Sequence, residues 1–191
     1  MKTSGVLRTN GAGKTTASYN VLPEKLNCKE FVNADEIARG LSPFQPEKVA
    51  VQAGRIMLKR IDELIALKEN FAIETTLATR SYRSLIQEAQ NVGYEVTLLF
   101  FWLNSVDLAI DRVQLRVEKG GHHIPKDVIQ RRYKSGIKNL INIFIPICDS
   151  WIVMNNSDKF FFISEKYDPE INIIFREDEW NIITKIAHEK D

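Results

Sequence analysis

The segment that most constrains the fold of this chain lies near its N-terminus, where two glycines precede a lysine. Its residues are Asn10, Gly11, Ala12, Gly13, Lys14, Thr15 and Thr16. Its second half matches the P-loop pattern G-x-x-x-x-G-K-[ST], which joins a strand to a helix. The short apolar run 5–7 is a strand candidate, and residues 16–22 can form a helix that ends before Pro23. The segment therefore predicts an α/β fold built around a phosphate site.

The same segment predicts which groups hold the phosphates. Backbone N–H groups of a glycine-rich turn can converge on an anion, and the N-terminus of the next helix adds partial positive charge. Lys14 would reach the β- and γ-phosphates, and the Thr15 hydroxyl would ligate Mg²⁺. A plain turn between strand and helix is the alternative, although the Gly-Lys-Thr combination favours nucleotide binding. Arg8 occupies the position of the first P-loop glycine.

Composition limits the remaining possibilities. The chain has 191 residues, of which 44% are apolar and 27% charged, so a single globular domain with a substantial core is expected. The net charge of +1 indicates no bulk attraction to nucleic acid or to a membrane. Cys28 and Cys148 stand alone without metal-ligand spacing. Without a leader-like or membrane-spanning apolar run, the chain is expected to be cytoplasmic.

Strand and helix signals alternate along the chain. Strands are predicted at 30–33, 71–74, 95–103 and 151–154, and a hairpin at 159–164 and 171–176. Helices are predicted at 46–67, 82–92, 106–119, 125–146 and 177–189. This alternation favours a parallel sheet with helices on both faces, whose ligand lies beyond the carboxyl ends of the strands.

Two acidic residues follow predicted strands at that edge. Asp35 could accept a proton from a substrate hydroxyl or hold Mg²⁺ through water, but it could equally cap a helix that begins at Glu36. Glu74 ends an apolar strand and could position substrate or water around Mg²⁺. Here the alternative is a purely structural end of the strand, with Thr79 or Ser81 capping the next helix.

Four arginines surround a glycine-rich connector between two predicted helices. Arg112 and Arg116 lie four residues apart on one helix, and Arg131 and Arg132 lie on the next. Guanidinium groups could close over a transferring phosphoryl group as a lid, with residues 120–121 as the hinge. The alternative is a solvated basic face.

In this order, the segments resemble the zeta toxin family of P-loop kinases. The resemblance runs from about Leu7 to Asn156. Its carrying segments are residues 10–16, 32–38, 74–80, 93–94, 112–117 and 120–125 leading to 131–133. The family loop usually reads Gly-Pro-Asn-Gly-Ala-Gly-Lys, and Arg8-Thr9 replace its first two residues here.

The resemblance implies an ATP- and Mg²⁺-dependent phosphotransferase with a five-stranded parallel sheet of order 2-3-1-4-5, followed by a small hairpin and helix. It divides the chain into a kinase-like domain at 1–156, with a lid around 112–132, and an appendage of that domain at 157–191. Family members phosphorylate UDP-N-acetylglucosamine at a sugar hydroxyl, and the acceptor here is expected to be that or a related small molecule. An antitoxin protein is an expected partner.

The resemblance also assigns roles to individual residues. Asp35 corresponds to the general base, and Glu74 to a residue that binds substrate. The residues expected to take part in catalysis are Asp35, Lys14, Arg116 and Arg132. Those expected to contact substrate are Glu74, Thr75, Arg80, Arg112, Arg131 and His122. The pattern does not choose between Arg131 and Arg132.

Two further functions are compatible with these residues. Arg8 in the P-loop motivates a nucleotide-binding module with impaired catalysis that acts through a protein partner. A plain ATPase, in which Glu74 orients water, would need no acceptor at all.

Overall fold

One mixed sheet of seven strands organises the part of the chain that the computed structural model describes, namely residues 3–9, 28–118, 121, 123–168 and 171–189. The strands are β1 (Thr3–Thr9), β2 (Glu30–Val32), β3 (Phe71–Thr75), β4 (Tyr94–Trp102), β5 (Ser150–Asn155), β6 (Phe161–Asp168) and β7 (Ile171–Ile174). Their order is β2-β3-β1-β4-β5-β6-β7. The first five strands are parallel, in the order that the family resemblance implies.

The C-terminal hairpin belongs to this sheet. β6 pairs antiparallel with β5, and β7 pairs antiparallel with β6. The expectation of a five-stranded sheet with a small hairpin as an appendage is therefore corrected to one sheet of seven strands. The physical reason is that β5 would otherwise expose an unpaired edge, and the hairpin satisfies its backbone groups.

Six helices are labelled in the described part of the chain. They are α1 (Ala34–Leu41), α2 (Ala50–Leu67), α3 (Tyr82–Asn91), α4 (Val106–Glu118), α5 (Lys126–Asn139) and α6 (Glu177–His188). A 3₁₀ turn (Pro46–Val49) precedes α2. A π-helical turn (Leu140–Phe144) and a short α-helical turn (Ile145–Ile147) follow α5. The single helix predicted at 125–146 is thus interrupted next to Pro146, which cannot donate a helical hydrogen bond. The helix predicted at 16–22 lies outside the described residues.

Helices cover both faces of the sheet, as its continuous apolar strands require. In β4, Leu98, Phe100 and Trp102 pack into the larger core cluster. That cluster also holds the buried faces of α2, α3, α5 and α6. The alternating residues Leu99 and Phe101 pack into a smaller cluster, against which α4 also packs. The mostly apolar sequence of the nine-residue strand β4 is explained by this double coverage.

The C-terminal helix is anchored to the same core. The indole of Trp180 in α6 stacks on that of Trp151 in β5, with ring centroids 5.6 Å apart and planes 2° from parallel. Ile183 of α6 is fully buried. Among the described residues, no helix is both long and apolar enough to cross a membrane.

Candidate active site

The carboxyl ends of β1, β2 and β3 lie at one level of the sheet. In the parallel register, Arg8 and Thr9 of β1 stand opposite Glu74 and Thr75 of β3. Val32 of β2 stands opposite Ile73, so the residue after β2 lies beside Glu74. The chain leaving β1 toward the predicted P-loop therefore begins next to Glu74 and Thr75.

Part of the predicted site lies outside the described residues. This applies to the residues predicted to bind the nucleotide, including the predicted catalytic Lys14 and the predicted metal ligand Thr15, and to His122. Within the described part of the chain, no group of three His, Cys, Asp or Glu side chains converges in a metal-binding arrangement.

Glu74 is a buried carboxylate with a defined neighbour. Its residue is only 8% exposed, and its Oε2 accepts a hydrogen bond of 2.9 Å from Nδ2 of Asn33. Burying a carboxylate is unfavourable unless hydrogen bonds compensate for lost hydration. The bond from Asn33 supplies one such compensation and joins the ends of β2 and β3.

Asp35 lies in the first turn of α1 with its residue exposed to solvent. The N-cap of α1 is Asn33, whose Oδ1 accepts from the backbone N–H of Asp35 at 2.8 Å and of Glu36 at 3.4 Å. The alternative interpretation of Asp35 as the helix cap is therefore wrong. Asp35 therefore lies in the first turn of α1, just past the end of β2, without serving as the N-cap.

The loop after β3 has a constrained backbone. Oγ1 of Thr75 accepts a hydrogen bond of 3.1 Å from the N–H of Leu77, and Thr76 makes the equivalent bond to Ala78 at 3.3 Å. Leu77 is fully buried and has a φ of +52°, in the left-handed region that side chains rarely adopt. Non-glycine residues in this region concentrate at functional sites.

Helix α5 holds that loop in place. Nδ2 of buried Asn139 donates a 2.7 Å hydrogen bond to the carbonyl of Leu77. One turn earlier, Gly136 approaches so closely that a Cβ there would stand 3.0 Å from the Thr76 carbonyl oxygen. The predicted lid helix is therefore joined to the loop that follows Glu74.

The remaining residues predicted along this loop are more open. Arg80 is exposed. Thr79 and Ser81 bond each other at 3.0 Å, and Ser81, the N-cap of α3, makes no side-chain capping bond, so helix capping does not explain these residues. The hydroxyl of Tyr82 bonds the buried Thr75 side chain; burial raises the pKa of Tyr82 above its ordinary value, and the Thr75 contact partly opposes this rise.

The predicted lid arginines occupy different environments. Nη2 of Arg112 donates to the carbonyls of Asn156 and Ser157, both at 2.7 Å, and so attaches α4 to the loop after β5. Its Nη1 is buried without a hydrogen-bond partner among the described residues. The carbonyl of Arg116 accepts from the N–H of Gly121 at 2.8 Å.

Arg131 and Arg132 lie exposed on α5. The next residue, Tyr133, donates from its hydroxyl to the Leu103 carbonyl at 2.7 Å, which fixes α5 beside the end of β4. Burial raises the pKa of Tyr133 to about 12. The two arginines are thus carried on a helix whose position is set by Tyr133 near its middle and by Asn139 at its C-terminal end.

Sequence reasoning missed Asn33, Gly136 and Asn139 as residues that organise the site. For Asn33 a signal was present, because an Asn followed by Asp and Glu is a helix N-terminus pattern. Neither Gly136 nor Asn139 carries a comparable local signal, since each acts on a loop about 60 residues earlier in the chain.

The strand order and the polar edge define the class of the protein as an α/β P-loop kinase-like fold. A sequence model of the Zeta toxin family matches residues 9–166, and the chain belongs to that family. An uncharacterized protein of Haemophilus influenzae is 30% identical to it over 126 residues, covering 65% of this chain and 87% of the relative.

Two solved structures have similar folds. One comes from the PezAT chromosomal toxin-antitoxin system of Streptococcus pneumoniae, with a TM-score of 0.64 and 17% identity over 97% of this chain and 86% of that one. The other is AvrRxo1-ORF1:-ORF2 with ATP, with a TM-score of 0.72 and 15% identity, covering 100% of this chain and 66% of that one. These similarities establish the fold.

Proposed function

We propose that this protein is an ATP- and Mg²⁺-dependent phosphotransferase acting on a hydroxyl group of a small molecule. The observation that carries the proposal is the meeting of Glu74, Asn33 and the end of β1 at one edge of the sheet. Family membership and the ATP complex of the AvrRxo1 neighbour support a nucleotide donor. UDP-N-acetylglucosamine or a related sugar nucleotide is the acceptor class to test first.

In this mechanism the chain supplies positioning and charge. Lys14 and Thr15 would hold the donor phosphates and Mg²⁺, which would neutralise charge on the transferring group. Asp35 takes the proton from the acceptor hydroxyl as that oxygen attacks phosphorus. Glu74 and Thr75 orient the acceptor at the end of β3. Arg116 and Arg132 stabilise the charge on the transferring phosphoryl group, with Arg80, Arg112, Arg131 and His122 as further contacts.

A phosphorylation screen tests the proposal. The purified protein is incubated with ATP, Mg²⁺ and a metabolite mixture, with UDP-N-acetylglucosamine alone in a parallel sample, and phosphorylated products are identified by mass spectrometry. We expect Asp35→Asn to lower kcat by roughly 10²- to 10⁴-fold. Glu36→Gln is the matched control, because the Glu36 carboxylate instead pairs with Arg39 at 3.0 Å. Equal rates for Asp35→Asn and wild type would refute the base assignment.

A second candidate, a nucleotide-binding module with impaired catalysis, is favoured by one residue. Arg8 replaces the first P-loop glycine and lies within β1, opposite Glu74. This candidate predicts binding of an ATP analogue without phosphoryl transfer, and recovery of transfer in Arg8→Gly. ATP hydrolysis in the absence of any acceptor would instead favour the plain ATPase.

The partner class that we propose is an antitoxin protein. The support is family membership and the PezAT neighbour, which comes from a toxin-antitoxin system. Co-expression with the product of an adjacent reading frame, followed by size-exclusion chromatography and the transfer assay, tests it. A stable complex with reduced transfer is the expected result, whereas independent elution with unchanged transfer would contradict it.

A further inference from the structure

Asn33 connects the two carboxylate-bearing segments of the candidate site. Its Nδ2 donates to Oε2 of Glu74 at 2.9 Å, and its Oδ1 accepts from the backbone N–H groups of Asp35 and Glu36. Its backbone has the extended conformation of an N-cap, with φ of −135° and ψ of 118°. One side chain therefore contacts both the end of β3 and the first turn of α1.

The amide is the chemical group that this position requires. Capping needs an acceptor that faces N–H groups, and the contact with Glu74 needs a donor that faces a carboxylate. With the amide reversed, its NH₂ would face two N–H groups and its oxygen would face Glu74. Aspartate could cap as well but could not donate when ionised, and serine could cap but has a shorter reach.

We infer that Asn33 is a positioning residue that sets the Glu74 carboxylate relative to the Asp35 turn for phosphoryl transfer. The inference rests on the proposed kinase function. Asp35 is held through its backbone N–H and Glu74 through its carboxylate, so a shift of Asn33 moves both. Because transfer depends on the placement of reacting groups to within about 1 Å, loss of this connection should slow it.

Two substitutions separate positioning from helix capping. Asn33→Ser retains an N-cap but removes the donor to Glu74, so kcat/KM should fall roughly tenfold to hundredfold at every pH. Asn33→Asp also retains the cap but places a second carboxylate against Glu74. The pair then binds a shared proton with a raised apparent pKa, and that proton restores a donor. Its kcat/KM, taken relative to that of wild type, should therefore rise as the pH is lowered.

A stability measurement provides a readout that is independent of activity. In Asn33→Asp the folded pair binds its proton more tightly than the unfolded chain does. Relative to wild type, its free energy of unfolding should therefore decrease as the pH rises from about 4 to about 8. Asn33→Ser adds no second carboxylate, so it should not show this decrease between about pH 4 and about pH 8.

The outcomes are distinct. The inference is supported if both variants lose activity as described and only Asn33→Asp shows the new pH dependence in rate and in stability. It is overturned if both variants keep wild-type kcat/KM and pH profile within about twofold, as a purely capping residue would. A wild-type protein without transfer activity would refute the proposed function and the positioning role with it. The stability series would then still report whether Asn33 contacts Glu74.

Discussion

Replacing Asn139 with alanine tests how α5 holds the loop after β3. The Asn139 side chain is buried and donates a 2.7 Å hydrogen bond to the carbonyl of Leu77, 62 residues earlier in the chain. Asn139→Ala removes the donor and leaves that carbonyl buried without this partner. An unsatisfied buried acceptor costs about 1–3 kcal/mol.

The loop has little opportunity to relax and recover this loss. Leu77 could leave its left-handed backbone conformation, which would release about 1 kcal/mol of strain. However, Leu77 is fully buried, and exposing a leucine costs about 1.5–3 kcal/mol. The loop is therefore expected to stay in place, and the free energy of unfolding should fall by about 2 kcal/mol.

Urea titration followed by circular dichroism measures this change. With an m-value of about 2 kcal/mol/M, the midpoint should fall by about 1 M. The melting temperature should fall by about 4–8 °C, since each kcal/mol lowers it by about 2–4 °C in a chain of this size.

Asn142→Ala is the matched control. Asn142 lies three residues further along, is exposed, and donates mainly to the local carbonyl of Lys138 at 2.9 Å. Its replacement should change the free energy of unfolding by less than about 0.5 kcal/mol. Equal effects of the two substitutions, or a loss below about 0.5 kcal/mol for Asn139→Ala, would refute the reasoning.

Three further predictions concern buried contacts. Gly136→Ala places a Cβ 3.0 Å from the Thr76 carbonyl oxygen and should lower the free energy of unfolding by about 1–2 kcal/mol. Gly54→Ala has open space around the new Cβ in α2 and should raise the free energy of unfolding by up to about 1 kcal/mol. Urea midpoints that shift in the same direction for both variants would contradict this pair of expectations. Burial raises the pKa of the Cys148 thiol to about 12, so a thiol reagent at about pH 8 should label Cys148 only as urea unfolds the chain. Rapid labelling of Cys148 in the folded protein would be inconsistent with that burial. Burial also raises the pKa of Tyr133 from 10 to about 12, so the contribution of the neutral Tyr133 hydroxyl to stability is present below pH 10 and is lost as the pH rises toward 12. The free energy of unfolding of wild type should therefore exceed that of Tyr133→Phe by less and less across that range. A constant difference between the two proteins in urea titrations would argue against the raised pKa.

The elements of the fold could largely be predicted from local patterns. The mostly apolar segment 95–103 predicted a strand of a parallel sheet with helices on both faces, and β4 has this environment. The joining of the hairpin to β5 was not predicted, because the edge at which a hairpin pairs depends on which strand lacks a neighbour. The interruption of the helix after α5 was also missed, because the π-helical turn at Leu140–Phe144 depends on Pro146 together with the packing of Leu140 and Phe144 in the core.

The candidate site could be predicted in its residue types but not in its connections. Glu74 was expected at the end of a buried strand, and it lies there. Its bond to Asn33 joins residues 41 positions apart, which become neighbours only through the parallel register of β2 and β3. Arg112 was predicted to contact substrate, and the structure adds its attachment to the loop after β5. Its role toward substrate stays a prediction.

The sequence by itself determined the chemistry available to this protein. Its predicted P-loop segment, the acidic residues after two strands, the predicted lid arginines and the alternating apolar runs are all local features. Only the tertiary structure decided that Asn33 bonds Glu74 and that α5 holds the loop at Leu77. The physical reason is that a side chain's partner across strands or helices depends on register and helix packing, which nearby residues in the chain do not encode.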